Sequence, residues 1–166
     1  SERWRQLALG LLERGVGVVA VGRNVPNIAG TEENVPKGVF DLGIVHNRFL
    51  DLTGRTSLHE LCEVIAANDV AVTFDSGVLH VANCTETPVV ALFSDNDPDF
   101  FTRIRAGKPG AGTVAVHRPC PTQFCQTWHG AWSECLQEGD RRMCCLPGVE
   151  QVLEAVMGFL RDQPSP

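Results

Sequence analysis

Residues 70–80 read Val70-Ala71-Val72-Thr73-Phe74-Asp75-Ser76-Gly77-Val78-Leu79-His80. A short, mostly apolar run suits a strand buried on both faces, and Asp-Ser-Gly breaks it before Val78, Val81 and Ala82 supply a helical pattern. A strand that turns directly into a helix aims the helix's unpaired N–H groups beyond the strand's carboxyl end, which is where α/β proteins hold phosphate. On this reading the backbone N–H groups of Ser76, Gly77 and Val78 receive diphosphate oxygens, Gly77 lets the ligand come close, and Asp75 and His80 flank the cradle. The alternative is that Asp75 or Ser76 caps the helix and His80 is a surface residue. A nucleophilic role for Ser76 fits less well, because Phe74 stands two residues before it where a hydrolase elbow carries glycine.

Outward from this stretch, strand and helix alternate. Upstream, Thr53-Gly54-Arg55-Thr56 is a loop, and Ser57 with Glu60 forms a capping box opening a helix whose buried face is Leu58, Leu61, Cys62, Ile65 and Ala66. Phe49 to Leu52 is a brief strand. The chain opens with a helix, capped by Ser1, that carries Trp4, Leu7, Ala8, Leu11 and Leu12, and it passes through Gly15 into the strand Val16 to Val21. From Gly22 to Phe49 the pattern is broken by Pro26, Gly30, Pro36 and Gly38, which predicts a long irregular stretch. Downstream come strands at Val89 to Phe93 and Thr113 to His117, and a last helix with Val149, Val152, Leu153, Val156, Met157 and Leu160 inward. Apolar strands separated by amphipathic helices indicate an α/β domain, a parallel sheet with helices on both faces.

The bulk properties narrow the classes. At 166 residues and 43% hydrophobic content the chain suits one domain, residues 1–166, with a real core. A net charge of −6 and a pI near 5.3, with no basic stripe, argue against a nucleic-acid partner. No apolar stretch approaches the roughly 20 residues of a membrane span, and the amino end lacks a signal-peptide layout, so a cytoplasmic location is expected.

Of seven cysteines, Cys62 and Cys84 fall on the apolar faces of predicted helices, and five crowd into a Cys-rich segment, residues 118–147. There Cys120, Cys125, Cys135 and Cys144 are zinc candidates, although no CxxC pair is present, and free or disulfide-linked thiols are the alternative. Phe124, Trp128 and Trp132 either pin this segment to the domain or form an acceptor surface. Asp95, Asp97 and Asp99 suit a solvated loop stiffened by Pro98 better than a cation site.

Taken together, Leu52-x-Gly54-x-Thr56-Ser57-Leu58, a helix, Val72-Thr73-Phe74-Asp75-Ser76-Gly77-x-x-His80-x-Ala82 and Thr87-Pro88-Val89-Val90-Ala91-Leu92-Phe93 resemble, in order, the donor-binding domain of glycosyltransferase family 9, the lipopolysaccharide heptosyltransferases. The resemblance implies a Rossmann-like carboxy-terminal half of a GT-B enzyme and an inverting transfer in lipopolysaccharide or surface-glycan synthesis. It implies a nucleotide-diphosphate sugar as donor, no obligatory cofactor, and an expected site peripheral to the inner membrane. Carried over, Ser76 and Gly77 hold the diphosphate, Asp75 bonds the transferred sugar, His80 assists near the phosphates, and Thr56, in the loop with Gly54, lies against the base. The chain departs from the family pattern in three ways. The domain's first strand with its phosphate-binding lysine is missing, and so is the amino-terminal domain that supplies the catalytic base and the site for a glycan or lipid-linked acceptor. In addition, Gly22-Arg23-Asn24 stands where a ribose-binding glutamate is usual. The isolated chain is therefore expected to be inactive, with a homo-oligomer as one way to cover the strand edge left open. The alternative functions are a non-catalytic nucleotide-sugar-binding or interaction module and a small metal-stabilised structural protein.

Overall fold

The computed structural model describes residues 2–22, 42–93, 112–116 and 146–161. The chain forms two compact units, Ser1–Leu61 and Cys62–Pro166.

In the first unit, helix α1 (Glu2–Glu13) buries Leu7, Ala8, Gly10, Leu11 and Leu12, the stripe that its three- and four-residue spacing predicts. It ends where Gly15 takes a φ of 83°, a left-handed conformation that suits glycine, and the Gly15 N–H bonds the Leu12 carbonyl at 3.0 Å. The chain then enters β1 (Val18–Ala20), against which α1 packs, and β1 pairs in parallel with β2 (Phe49–Asp51), Val18 opposite Phe49. Arg48 fixes the crossing by donating from Nη1 to the Gly15 carbonyl at 2.7 Å.

Helix α2 (Leu58–Ala66) starts at the expected capping box. The Ser57 N–H donates to Glu60 Oε2 at 2.8 Å, and the Glu60 N–H donates to Ser57 Oγ at 3.3 Å. Its predicted buried face is only partly realised: Ile65 is buried and Leu61 and Cys62 are half-buried, but Leu58 is 72% exposed and Ala66 is exposed. Leu58 lies about two turns before Ile65 on the same face, but a first-turn side chain leans back past the helix end. Ala66 is turned away from the Ile65 line.

In the second unit, β3 (Ala71–Phe74), β4 (Val89–Leu92) and β5 (Thr113–Val116) form a parallel sheet in that order, with Ala71 opposite Val89 and Val89 opposite Thr113. Every residue of β4 is buried. Neighbouring strand residues point to opposite faces, so complete burial means that both faces of β4 are covered. Helix α3 (Gly77–Ala82) packs on β3 and β4, and α4 (Val149–Arg161) packs on β5 and β4, burying Val152, Leu153 and Val156. Thr87 ties the sheet to the end of α2 by donating from its buried hydroxyl to the Ile65 carbonyl at 2.8 Å. Thr85 Oγ1 accepts the Thr87 N–H at 3.3 Å and donates to the Ala82 carbonyl, closing the turn from α3 into β4.

Cys84 corrects its sequence reading. It lies beyond the end of α3 and is exposed, with Sγ against the His80 carbonyl at 3.4 Å, because the helix stops at Ala82 before its apolar face reaches that position. The zinc candidates Cys120, Cys125, Cys135 and Cys144, the aromatics among them, and Asp95, Asp97 and Asp99 lie outside the described residues. Among the described residues there is no cluster of potential metal ligands, and no helix is long and apolar enough to cross a membrane.

Candidate functional site

The Asp75 to His80 turn stands at the carboxyl end of β3. The Asp75 N–H, the last rung of the β3–β4 ladder, donates to the Leu92 carbonyl at 3.2 Å, and there the chain leaves the sheet. Asp75 is half-buried, whereas Ser76, Gly77 and His80 are exposed. Ser76 occupies the N-cap of α3 with the extended backbone of that position, φ −156° and ψ 176°, yet its side chain makes no capping hydrogen bond. Its hydroxyl instead lies 3.3 Å from the hydroxyl of Thr73, which is buried. A capping role for the Ser76 side chain is thus not what this turn shows.

Gly77 shares with Gly148 and Gly158 a lack of any local demand for glycine among the described residues. Its φ is not positive, and a Cβ built on it would meet nothing within 4 Å. Among the described residues neither backbone nor packing asks for glycine there. His80 follows on the short helix, one turn past Ser76 and Gly77.

Gly54 and Thr56 belong to the first unit. Gly54 follows β2 with φ 71°, and its N–H donates to the carbonyl of Gly22, itself at φ 134°, at 2.8 Å. This bond joins the loops after β1 and β2, and sequence reasoning missed it; two glycines, each just beyond a strand, were the available signal. Among the described residues a Cβ on either glycine would again meet nothing within 4 Å, and both positive φ values suit glycine. Asp51, at the end of β2, accepts the Thr53 N–H at 2.8 Å and shapes the same loop. Thr56 is half-buried next to the N-cap Ser57.

The Glu60 carboxylate is held below its ordinary pKa, first by the backbone N–H of Ser57 and then by the Ser57 hydroxyl, against an opposing desolvation that exceeds the small lowering by His59. It completes a helix cap and is far from unusual in that role. A depression of about 360 Å³ in the first unit, lined by Arg5, Leu9 and Leu12 of α1 and by Ile44, Val45 and His46, involves none of the residues singled out from the sequence.

Comparison with known proteins gives this geometry its context. The chain is 33% identical over 105 residues to lipopolysaccharide heptosyltransferase 2 of Escherichia coli K12, a match covering 60% of this chain and 29% of that protein. The corresponding Salmonella typhimurium protein matches to the same extent, and lipooligosaccharide heptosyltransferase 2 of Haemophilus influenzae is 35% identical over 51 residues, 31% of this chain and 15% of that protein. The chain thus spans less than a third of the length of these curated relatives. Among solved structures, a glycosyl transferase family 9 protein from Veillonella parvula superposes with a TM-score of 0.66 at 19% identity, covering 98% of this chain and 41% of that one, which shows a shared fold. A sequence model of "Glycosyltransferase family 9 (heptosyltransferase)" matches residues 1–128, more than half of the chain, and the chain belongs to that family.

Proposed function

We propose that this chain is the donor-binding part of an inverting glycosyltransferase that acts in lipopolysaccharide or related surface-glycan synthesis, with a nucleotide-diphosphate sugar bound at the carboxyl ends of its strands. Gly77 carries the reading: a residue that the described part of the fold leaves free to bear a side chain has none, at a strand-to-helix turn of the kind that holds phosphate. Backbone N–H groups of Ser76, Gly77 and Val78 receive diphosphate oxygens, Asp75 accepts from a hydroxyl of the transferred sugar, and His80 assists near the phosphates. Preorganised N–H groups stabilise the nucleoside diphosphate as it departs, so the reaction requires no metal at this position.

The strands pair in parallel within each unit, β1 with β2 and β4 with β3 and β5. The general base and the acceptor site, for a glycan or lipid-linked sugar, are assigned to a separate amino-terminal domain, and the enzyme works at the cytoplasmic side of the inner membrane.

The test is ligand-dependent stability. A nucleoside diphosphate or nucleotide sugar present at 100 times its dissociation constant raises the unfolding free energy by about 2.7 kcal/mol. Thermal melts against a panel of ADP, UDP, GDP and their sugar conjugates are expected to show such a shift with at least one member. A chain that none of them stabilises is not a donor-binding domain.

A further inference from the structure

Thr73 is the one polar residue of β3, and it is buried, 5% exposed. Among the described residues its hydroxyl has two hydrogen-bond partners, the Phe74 carbonyl oxygen at 3.0 Å and the Ser76 hydroxyl at 3.3 Å. A carbonyl only accepts, so the first bond uses the single proton that Thr73 owns. The second bond then has a fixed direction, with Ser76 donating to Thr73. The exposed Ser76 hydroxyl is left with free lone pairs and no proton to offer.

Phosphate oxygens at neutral pH are acceptors, and an acceptor does not bond another acceptor. Sugar hydroxyls can donate. Resting on the donor-site reading above, we infer that Ser76 meets a bound nucleotide sugar as a hydrogen-bond acceptor, its proton held by the buried Thr73 hydroxyl, and so recognises a hydroxyl of the sugar while the backbone N–H groups take the diphosphate. Thr73 is a positioning residue in this scheme. It touches no ligand and acts by fixing which way the Ser76 proton points. The same link keeps the Ser76 oxygen away from the first-turn N–H groups of α3, where an N-cap serine would ordinarily bond.

The experiment compares two probes, ADP and ADP-glucose, or UDP and UDP-glucose where the wild-type chain prefers uridine, by titration calorimetry on the full chain. Ser76→Ala and Thr73→Val are each expected to lower the affinity for the sugar nucleotide relative to the nucleoside diphosphate by about 3- to 10-fold, the span of one neutral hydrogen bond. Thr73→Ser, which keeps the hydroxyl, restores the wild-type ratio, and the double variant Thr73→Val/Ser76→Ala loses no more than either single one, because both remove the same link. Melting curves establish that each variant is folded; if Thr73→Val is not, Ser76→Ala and Thr73→Ser still decide. Equal weakening of both probes, or an unchanged ratio in Ser76→Ala, overturns the acceptor role and leaves the donor site standing. A wild-type chain that binds neither the diphosphates nor the sugar nucleotides overturns the donor site, and this role with it.

Discussion

Strand β4 and the turn after β3 are neighbours in one sheet and opposites in character. From Val89 to Phe93 every side chain is buried, and each identity has a packing reason. Asp75, Ser76, Gly77 and His80 are half-buried or exposed, an N-cap serine does not cap, and a glycine stands where none of the described residues requires one. A residue choice that packing explains says little about function. One that neither packing nor backbone conformation explains points to a molecule outside the chain, and substitutions should divide the two regions accordingly.

The largest effect belongs to the core. Phe93 is fully buried, and its N–H donates to the Val116 carbonyl at 3.0 Å, so that it sits where β4 and β5 end together. Phe93→Ala is expected to cost about 3–5 kcal/mol of stability, read as a lower denaturant midpoint at unchanged slope. A loss below about 1 kcal/mol would mean that this end of the sheet is much looser than its burial implies.

Gly77→Ala is the mirror case. A methyl group there meets no atom of the described residues and α3 gains a better helix former, so stability should hold or rise by up to about 1 kcal/mol. Affinity for the nucleoside diphosphate should nonetheless fall by about 1–3 kcal/mol, the usual cost of forcing an extra methyl into an occupied space. Calorimetric titration alongside a melting curve separates the two quantities. A variant that binds as the wild type does would remove the main support for a phosphate at this turn.

These two regions also differ in how far the sequence revealed them. The apolar runs at 70–74 and 89–93 and the Ser57–Glu60 pair are local signals, and the elements that they predict are present to within a residue or so. Burial was less legible, because it depends on what lies opposite. Leu58 and Cys84 have the right composition and spacing for a core face but sit at helix ends that no partner covers. The motif at Asp75 to His80 was visible as a pattern of residue types. The link from Thr73 to Ser76 was not, since it depends on the bend of the turn; a single hydroxyl inside an apolar strand was its only trace. The bond from Gly54 to Gly22 spans 32 positions and was hidden for the same reason.

Between the extremes lies the cap of α2. Ser57→Ala removes the acceptor of the Glu60 N–H and should cost about 1 kcal/mol, a loss visible as a lower melting temperature with no change in diphosphate affinity measured relative to wild type. If affinity fell together with stability, the loop from Gly54 to Ser57 would be more closely coupled to ligand than its capping role requires.

The smallest expected effect is a pH dependence confined to the same cap. Hydrogen bonding to the Ser57 N–H, and then to its hydroxyl, favours the charged form of Glu60 and lowers its pKa in the folded chain below the value it has when unfolded. For a carboxyl group lowered in this way, the unfolded state binds protons first as the pH drops. Its contribution to stability is therefore complete above the unfolded pKa and disappears as the pH falls through the folded one. Glu60→Gln retains an amide oxygen that can still accept from Ser57 but carries no titrating group. The difference in melting temperature between wild type and Glu60→Gln should be present near neutrality and shrink toward zero at acid pH, while the rest of the acid response stays common to both. Glu60 is fully exposed, so the difference should also diminish with added salt insofar as it is electrostatic. A gap that stays constant across the acid range would show that the glutamate acts through shape and not charge. A gap that widens on acidification would reverse the sign of the shift, and with it the assignment of the Ser57 N–H as the group that holds the carboxylate.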